Sequence, residues 1–574
     1  MFAALGSFKF RACFVCAVFF IFGGILIGRL FFIQVLSYDS YSNEANGQYV
    51  SFKSKDDIAT RGSVYFKEKD GNFISAATLK EGFFVEVNSS LVDNPKDICQ
   101  KIAAIVELDE EGCVERVQGG GYERVAHRLN SQQAQEIKKI NSNSVDSFSE
   151  QWRFYPGDFL ASQILGFVGY KGDELVGRYG LEQYYEDVLK GKRKNLKEGG
   201  SFAALFWDLG KDLLGSGGDK GYDIVLTIEP RVQSVLEGLL GGIIEKWGAE
   251  QVGGIIMDPK TGAIIAMASN PNFNPNNYGE VEDISYFKNP LISSVFELGS
   301  VFKALTMAAA IDSGKITTET TYFDNGYAFF NGYKIENYDG KGRGTTDMQI
   351  VLNESLNTGA IFAMQQIGKE GFYEYVKKYG LGEKTGVDLP NEAVGNLSNL
   401  STMRDLEYAT ASFGQGIAVS PLEFTVAVSA LANGGVIVNP YIVDKIIVEG
   451  GKDNITTPSI KRRAIDENSS KIITRMLVNV VDDALLGGTV KLERYSLAAK
   501  TGTAQLPKED GGGYYDDQYL HSFFGYAPAF DAKFIVFLFA KKPQGVKYAS
   551  QTLTEPFMDV IKFLLSYYEI PPDR

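Results

Sequence analysis

Three short clusters in this 574-residue chain carry groups able to perform acyl transfer without histidine: Ser300-Val301-Phe302-Lys303, Ser355-Leu356-Asn357 and Lys500-Thr501-Gly502-Thr503. A serine hydroxyl is a weak nucleophile until a nearby base takes its proton, and a neutral lysine amine can be that base. Ser300 opens the helical run 301–311, which places its hydroxyl at a helix amino terminus beside free backbone N–H groups. Lys303 follows three residues later and shares its face. A free lysine titrates near 10.4; holding it neutral near pH 7 takes about 4.6 kcal/mol. Burial and a second cation both push in that direction, and Lys500 is the candidate cation.

Each motif alone is weak, and decoys are present. Ser285-Tyr286-Phe287-Lys288 repeats the first pattern, but Asn289-Pro290 follows and argues against a continuing helix. Lys-Thr-Gly recurs at Lys260 and Lys384, both in turn-like surroundings, whereas Lys500 ends the apolar run 496–499 as a strand residue would. Histidine is confined to His127 and His521, so a serine–histidine–acid triad would have to use one of these two. His521 precedes the strand-like 522–526 and is expected in a structural or cleft-rim role; His127 reads as a surface residue. No metal site or cofactor is expected. The net charge of −14 removes the electrostatic footprint of a nucleic-acid binder.

The elements that must position these groups are legible as periodicities. Residues 223–228 read as a strand, 230–247 as a long amphipathic helix, and 253–257 with 263–268 as a hairpin around Asp258-Pro259-Lys260-Thr261-Gly262. Helical patterns fill 300–313, 348–367 and 421–433; strands return at 497–500, 522–526 and 534–539; a final helix spans 554–567. Strands at both ends with helices between predict one sheet assembled from distant segments and covered on both faces. Upstream, 83–87 and 164–168 read as extended, and 96–106, 132–140 and 181–189 as helical. Gly511-Gly512-Gly513 with Tyr514 and Tyr515 reads as a flexible loop beside the cleft. Gly and charge accumulate over 191–221, marking a boundary, and within it 201–215 carries an apolar helical stripe.

Residues 12–36 are apolar apart from Arg29 and Gln34, long enough to cross about 30 Å of hydrocarbon. Lys9 and Arg11 precede this run and no Lys or Arg occurs from 37 to 52, which places the amino terminus inside and the remainder outside. An uncleaved anchor is expected over a signal peptide, because no small-x-small cleavage site follows the apolar core. Cys13 and Cys16 fall within the run as small hydrophobes. Cys99 and Cys113 lie in the exported part, where a disulfide and two free thiols are both open.

The segment Phe296-Glu297-Leu298-Gly299-Ser300-Val301-Phe302-Lys303, with Ser355-Leu356-Asn357-Thr358-Gly359 and Lys500-Thr501-Gly502-Thr503-Ala504, resembles the three active-site motifs of penicillin-binding transpeptidases. Ser412-Phe413-Gly414-Gln415-Gly416 and Ala432-Asn433-Gly434-Gly435 resemble further segments. Arg61-Gly62, Tyr155-Pro156 and Gly180-Leu181-Glu182 resemble the pedestal of class B, monofunctional members. Asn357 and Lys500-Thr501-Gly502 are more similar to the septal, cell-division type than to the elongation type, which stays the alternative. Leu298 departs from the proline usual there.

The resemblance implies an α+β fold: a serine β-lactamase/transpeptidase-like domain over 223–574, with an antiparallel sheet, helices on both faces and an all-helical part. It would stand on an elongated α+β pedestal (37–222) behind a transmembrane helix (12–36) and a short cytoplasmic amino terminus (1–11). It implies that Ser300 attacks the penultimate D-Ala carbonyl of a peptidoglycan stem peptide, with Lys303 as base. Ser355 would protonate the leaving D-Ala, and Asn357 would orient the peptide. Lys500, Thr501 and Thr503 would hold the terminal carboxylate, with Gly502 and Ala504 as further substrate-binding residues of the same segment. The N–H groups of Ser300 and Thr503 would form the oxyanion hole. β-Lactams would trap Ser300, and a SEDS-type glycosyltransferase with other division proteins would be partners. A D,D-carboxypeptidase shares every motif. A β-lactamase, suggested by Glu392 35 residues after Asn357, and a β-lactam sensor are weaker fits. About eleven residues precede the apolar run, too few for a cytoplasmic effector.

Overall fold

The computed structural model describes residues 22–24, 60–140, 143–172, 174–190, 221–448, 451–509 and 511–574. The apolar run 12–36 apart from 22–24, with Cys13 and Cys16, and the 201–215 stripe lie outside them. Among the described residues no helix is long and apolar enough to cross a membrane. The described residues from 60 onward divide into two compact units, Glu81–Trp152, and Thr60–Lys80 with Arg153–Arg574.

In the smaller unit, the second half of the strand Phe73–Asn88 pairs antiparallel with Tyr122–Leu129. Val85, Val87, Ile98, Ile102 and Val117 close a small core under the helices Pro95–Ala103 and Glu110–Gln118. A disulfide between Cys99 and Cys113 joins those two helices, deciding what the sequence left open. His127 is half-exposed and pairs with Glu150 across 2.9 Å, as a surface residue does.

The larger unit is built on a five-stranded antiparallel sheet: β1 (Gln251–Met257), β2 (Ile264–Asn270), β3 (Ala498–Pro507), β4 (Tyr514–Ala527) and β5 (Phe534–Lys541), in the order β3-β4-β5-β1-β2. Its centre is apolar on both faces because it is buried on both. Ile535, Phe537 and Phe539 of β5 enter one core, and Val536, Leu538 and Ala540 enter the other, following the two-residue period of a strand. The helices Pro230–Trp247 and Thr554–Tyr567 cover the second face. The former begins on Pro230 with the Glu229 carboxylate accepting from Val232 N–H, and ends on Gly248 in the left-handed region. Opposite lie α1 (Lys303–Asp312) and Pro421–Ala432, the latter closed by a Ser420/Glu423 capping box.

Several expectations change in detail. The helical pattern over 348–367 is two helices, Met348–Asn353 and α2 (Asn357–Ile367), because Ser355 adopts φ 54 and interrupts the first. The segment expected to be extended at 164–168 begins as the helical turn Ser162–Leu165 and reverses at Gly166 into the strand Phe167–Lys171. The 181–189 helix splits at Tyr185. Between α1 and Met348–Asn353, the chain forms two small antiparallel pairs, Thr321–Asp324 with Gly344–Asp347 and Tyr327–Phe330 with Tyr333–Glu336, which periodicity did not reveal.

The three upstream motifs converge within the larger unit. Arg61 Nε donates to Glu182 across 2.8 Å, Arg153 Nε to its other oxygen across 2.6 Å, and the Tyr155 hydroxyl adds a third bond at 3.3 Å. Burial works against the Glu182 charge, but Arg153 and Arg61 outweigh it and hold the carboxyl below its ordinary range. Residues 153–190 also share a core with the sheet, and the Tyr185 hydroxyl donates to buried Asp388 across 3.0 Å.

Candidate active site

Ser300 sits in the tight turn Gly299–Phe302 that feeds directly into α1. The turn lies hard against β3: a Cβ on Gly299, at φ 65, would stand 2.8 Å from the Thr503 carbonyl oxygen, and one on Gly502 would stand 2.7 Å from that of Leu298. Only glycine permits this approach of backbone to backbone. Ser522 of β4 fixes the turn from below, its hydroxyl donating to Leu298 O across 2.7 Å.

The two motif lysines meet on the second motif. Lys303, only 1% exposed, donates from Nζ to the Ser355 carbonyl at 2.5 Å and to its hydroxyl at 3.2 Å. Lys500, 2% exposed, donates to the same hydroxyl at 3.0 Å and to Thr501 O at 3.2 Å. Burial pushes the Lys303 amine well below its ordinary value, and the charge on Lys500 adds to this. Burial alone brings Lys500 down to about 8. Among the described residues these lysine hydrogen bonds do not reach Ser300, which is half-buried on the same turn of chain as Lys303. The left-handed backbone of Ser355 turns both its carbonyl and its hydroxyl toward Lys303.

Asn357 opens α2, and its amide donates to Glu336 O at 2.8 Å. Thr501 lies half-buried on β3, an edge strand of the sheet. The Thr503 hydroxyl accepts from Ala549 N–H at 3.0 Å, leaving its proton free to donate. Gly502 and Ala504 are buried against the nucleophile turn, on the same face of β3 as Lys500. His521 is fully buried, bonded at 2.8 Å to Thr552 and at 2.9 Å to Lys547 O, and burial lowers it to about 4. It ties β4 to the 547–552 segment and is placed as a structural residue.

The decoys resolve locally. Glu392 accepts from Thr385 N–H and hydroxyl, each at 2.6 Å, and so folds onto its own loop. Lys260 pairs with Asp531 at the hairpin. Two features escaped sequence reasoning. Tyr514, just past the glycine-rich loop, donates to Glu297 across 2.9 Å, and burial raises that carboxyl. A buried network of Asp324, Asn337 and Thr358 backs the start of α2. Its only sequence signal was the turn-forming Asn337-Tyr338-Asp339-Gly340.

Residues 252–562 match the family model of the penicillin-binding protein transpeptidase domain, and residues 56–197 match that of the penicillin-binding protein dimerisation domain. Stage V sporulation protein D of Bacillus subtilis is 30% identical over 551 residues, covering 93% of this chain and 83% of the relative. A probable peptidoglycan D,D-transpeptidase, PbpC, of Pseudomonas aeruginosa is 27% identical, covering 99% of this chain and 96% of its own. The fold is similar to that of penicillin-binding protein 3 of Mycobacterium tuberculosis complexed with aztreonam, with a TM-score of 0.68, 23% identity, and coverage of 90% of this chain and 98% of that one. A transpeptidase-domain match over more than half of the residues, around a serine turn, a paired-lysine site and an edge strand, means that the chain belongs to the penicillin-binding proteins of the transpeptidase family.

Proposed function

We propose that this protein is a class B peptidoglycan D,D-transpeptidase, acting in septal wall synthesis, that cross-links stem peptides through an acyl-enzyme on Ser300. The observation that carries the reading is the convergence of two buried amines, Lys303 and Lys500, on the Ser355 hydroxyl beside the Ser300 turn.

In the first half-reaction, Ser300 Oγ attacks the penultimate D-Ala carbonyl and its proton passes to neutral Lys303. The oxyanion is held by the N–H groups of Ser300 and Thr503, a device worth about 3–4 kcal/mol per donor. Ser355 gives a proton to the departing D-Ala nitrogen and is reprotonated through Lys303. Lys500, with the hydroxyls of Thr501 and Thr503, receives the terminal carboxylate, and Asn357 orients the donor peptide amide. The acceptor amine then attacks the ester, and the proton returns by the same relay. An extended peptide can lie along β3, whose outer edge pairs with no other strand among the described residues of its sheet. No cofactor enters these steps. A β-lactam acylates the same serine; the related M. tuberculosis protein was solved with aztreonam.

The apolar 12–36 is proposed as an uncleaved anchor with 223–574 as the transpeptidase domain outside the cytoplasmic membrane, and 37–222 as the pedestal. A SEDS-type glycosyltransferase and other division proteins are proposed partners, since the glycan must be polymerised beside the cross-linking site. The fold of Glu392 onto Thr385 argues against a deacylating carboxylate and thus against a β-lactamase.

Purified protein should be labelled at Ser300 by a fluorescent penicillin and release it over many minutes. With stem peptide and an acceptor amine it should yield dimers. Trimmed monomers alone would convert the assignment to a carboxypeptidase, and rapid release of label to a β-lactamase. Depletion in cells should give filaments; rounded cells would assign the elongation role.

A further inference from the structure

The helix α2 begins without a cap of its own. Its N-cap residue is Leu356, which has no side-chain acceptor, yet the second and third residues of the active motif depend on how that helix starts. Unsatisfied N–H groups at a buried helix end must find an acceptor elsewhere. Here the acceptor comes from 21 residues upstream: Asn337 Oδ1 accepts from Thr358 N–H at 3.2 Å and lies 3.1 Å from the Thr358 hydroxyl. The neighbouring residue completes a clamp, because Glu336 O accepts from the Asn357 side chain at 2.8 Å. Two consecutive residues therefore grip two consecutive residues of α2.

Asn337 is itself held. Its Nδ2 donates to the two oxygens of Asp324 at 3.2 and 3.0 Å and to Lys341 O at 3.1 Å. Asp324 also accepts from Gly326 N–H at 2.8 Å, Arg343 N–H at 3.0 Å and the Thr358 hydroxyl at 2.8 Å. The Tyr322 hydroxyl lies 3.0 Å from that of Thr358. Asp324 and Asn337 are 1% and 3% exposed, so these bonds are made away from water, where a lost partner is not replaced.

We infer that Asn337, locked by Asp324, is a positioning residue for acyl transfer: it caps α2 in trans, and thereby holds Asn357 at the start of that helix and sets the strained Ser355 against the two lysines. This rests on the proposed transpeptidase reading. A misplacement of about 1 Å at a reacting group costs on the order of 100-fold in rate.

The test is stopped-flow acylation by a fluorescent penicillin, reported as limiting rate and apparent Kd per titrated active site. Asn337→Ala and Thr358→Val are each expected to lower the limiting rate about 10–100-fold with apparent Kd within about threefold. Thr358→Ser, which keeps the hydroxyl, should recover the rate to within about threefold. Asn130→Ala, removing a helix cap in the smaller unit, should lower Tm without touching the limiting rate. Wild-type limiting rates in Asn337→Ala and Thr358→Val would overturn the inference, as would equal losses in Thr358→Ser and Thr358→Val. Should Asn337→Ala fail to fold, the Thr358 pair decides alone. A wild-type protein that is not acylated at all would instead sink the transpeptidase reading, and this inference with it.

Discussion

Lys303 and Lys500 have the same side chain and comparable burial, but their surroundings divide the work between them. Lys303 has Lys500 as an additional charge against it, so of the two it is the amine driven further toward neutrality. Its neutral fraction, and with it the acylation rate, should grow as pH rises through its lowered value. The rising limb of the pH–rate profile is therefore expected well below the 10.5 of a free lysine. Lys303→Ala should lower acylation by about 10²–10⁴-fold, measured as burst rate with fluorescent penicillin, since that is the range for a general base. Stability carries the matching signature. Between about 8 and 10.5 the unfolded chain protonates Lys500 and the native protein does not, so the unfolded state binds more protons and stability rises with pH. Lys500→Met should remove that slope, at most about 1.4 kcal/mol per pH unit, from urea unfolding curves taken across the window.

At the scale of elements, the site is a contact between a turn and a strand. Gly502→Ala would put a methyl 2.4 Å from Ser522 Oγ and 2.9 Å from Val301 N, and backbone has no room to yield there. The nucleophile turn must then lift off β3, separating the Ser300 N–H from the Thr503 N–H. Expected are a loss of about 1–3 kcal/mol in stability, as for overpacking elsewhere, and a drop in acylation of about 100-fold or more. Differential scanning calorimetry and burst kinetics read the two separately. A Gly502→Ala protein with wild-type acylation would mean that the turn–strand contact does not build the oxyanion site.

For the whole molecule, two features act independently of the chemistry. The disulfide joins two helices of the smaller unit through cysteines 14 positions apart in sequence. Cys99→Ser/Cys113→Ser should cost that unit about 3 kcal/mol in the chain-entropy account, while acylation in the other unit stays unchanged. In the larger unit, Glu182→Gln leaves Arg61 and Arg153 buried beside a neutral partner. Breaking a buried ion pair in this way costs about 3–5 kcal/mol, so the unfolding midpoint in urea should fall without a change in acylation per folded molecule. A larger effect on acylation than on stability would give the cluster a direct part in the site.

The helices 230–247 and 554–567 were readable to the residue, because an amphipathic period, a proline start and long uninterrupted runs are local properties of the chain. The nucleophile and its two lysines were likewise legible as motifs, since a hydroxyl and two amines are the groups that acyl transfer needs when histidine is scarce. Left to tertiary structure were the features made by residues distant in sequence. Ser355 follows its helix in a left-handed conformation, and packing brings Lys303 and Lys500, 52 and 145 residues away, to its oxygens. Glu392 is drawn from the site by its own loop, and Asn337 caps a helix whose period says nothing about where its first N–H groups point. Local pattern specifies which elements form and which groups are available; only packing, by excluding water and bringing separate segments within hydrogen-bond reach, decides which of those groups share a site.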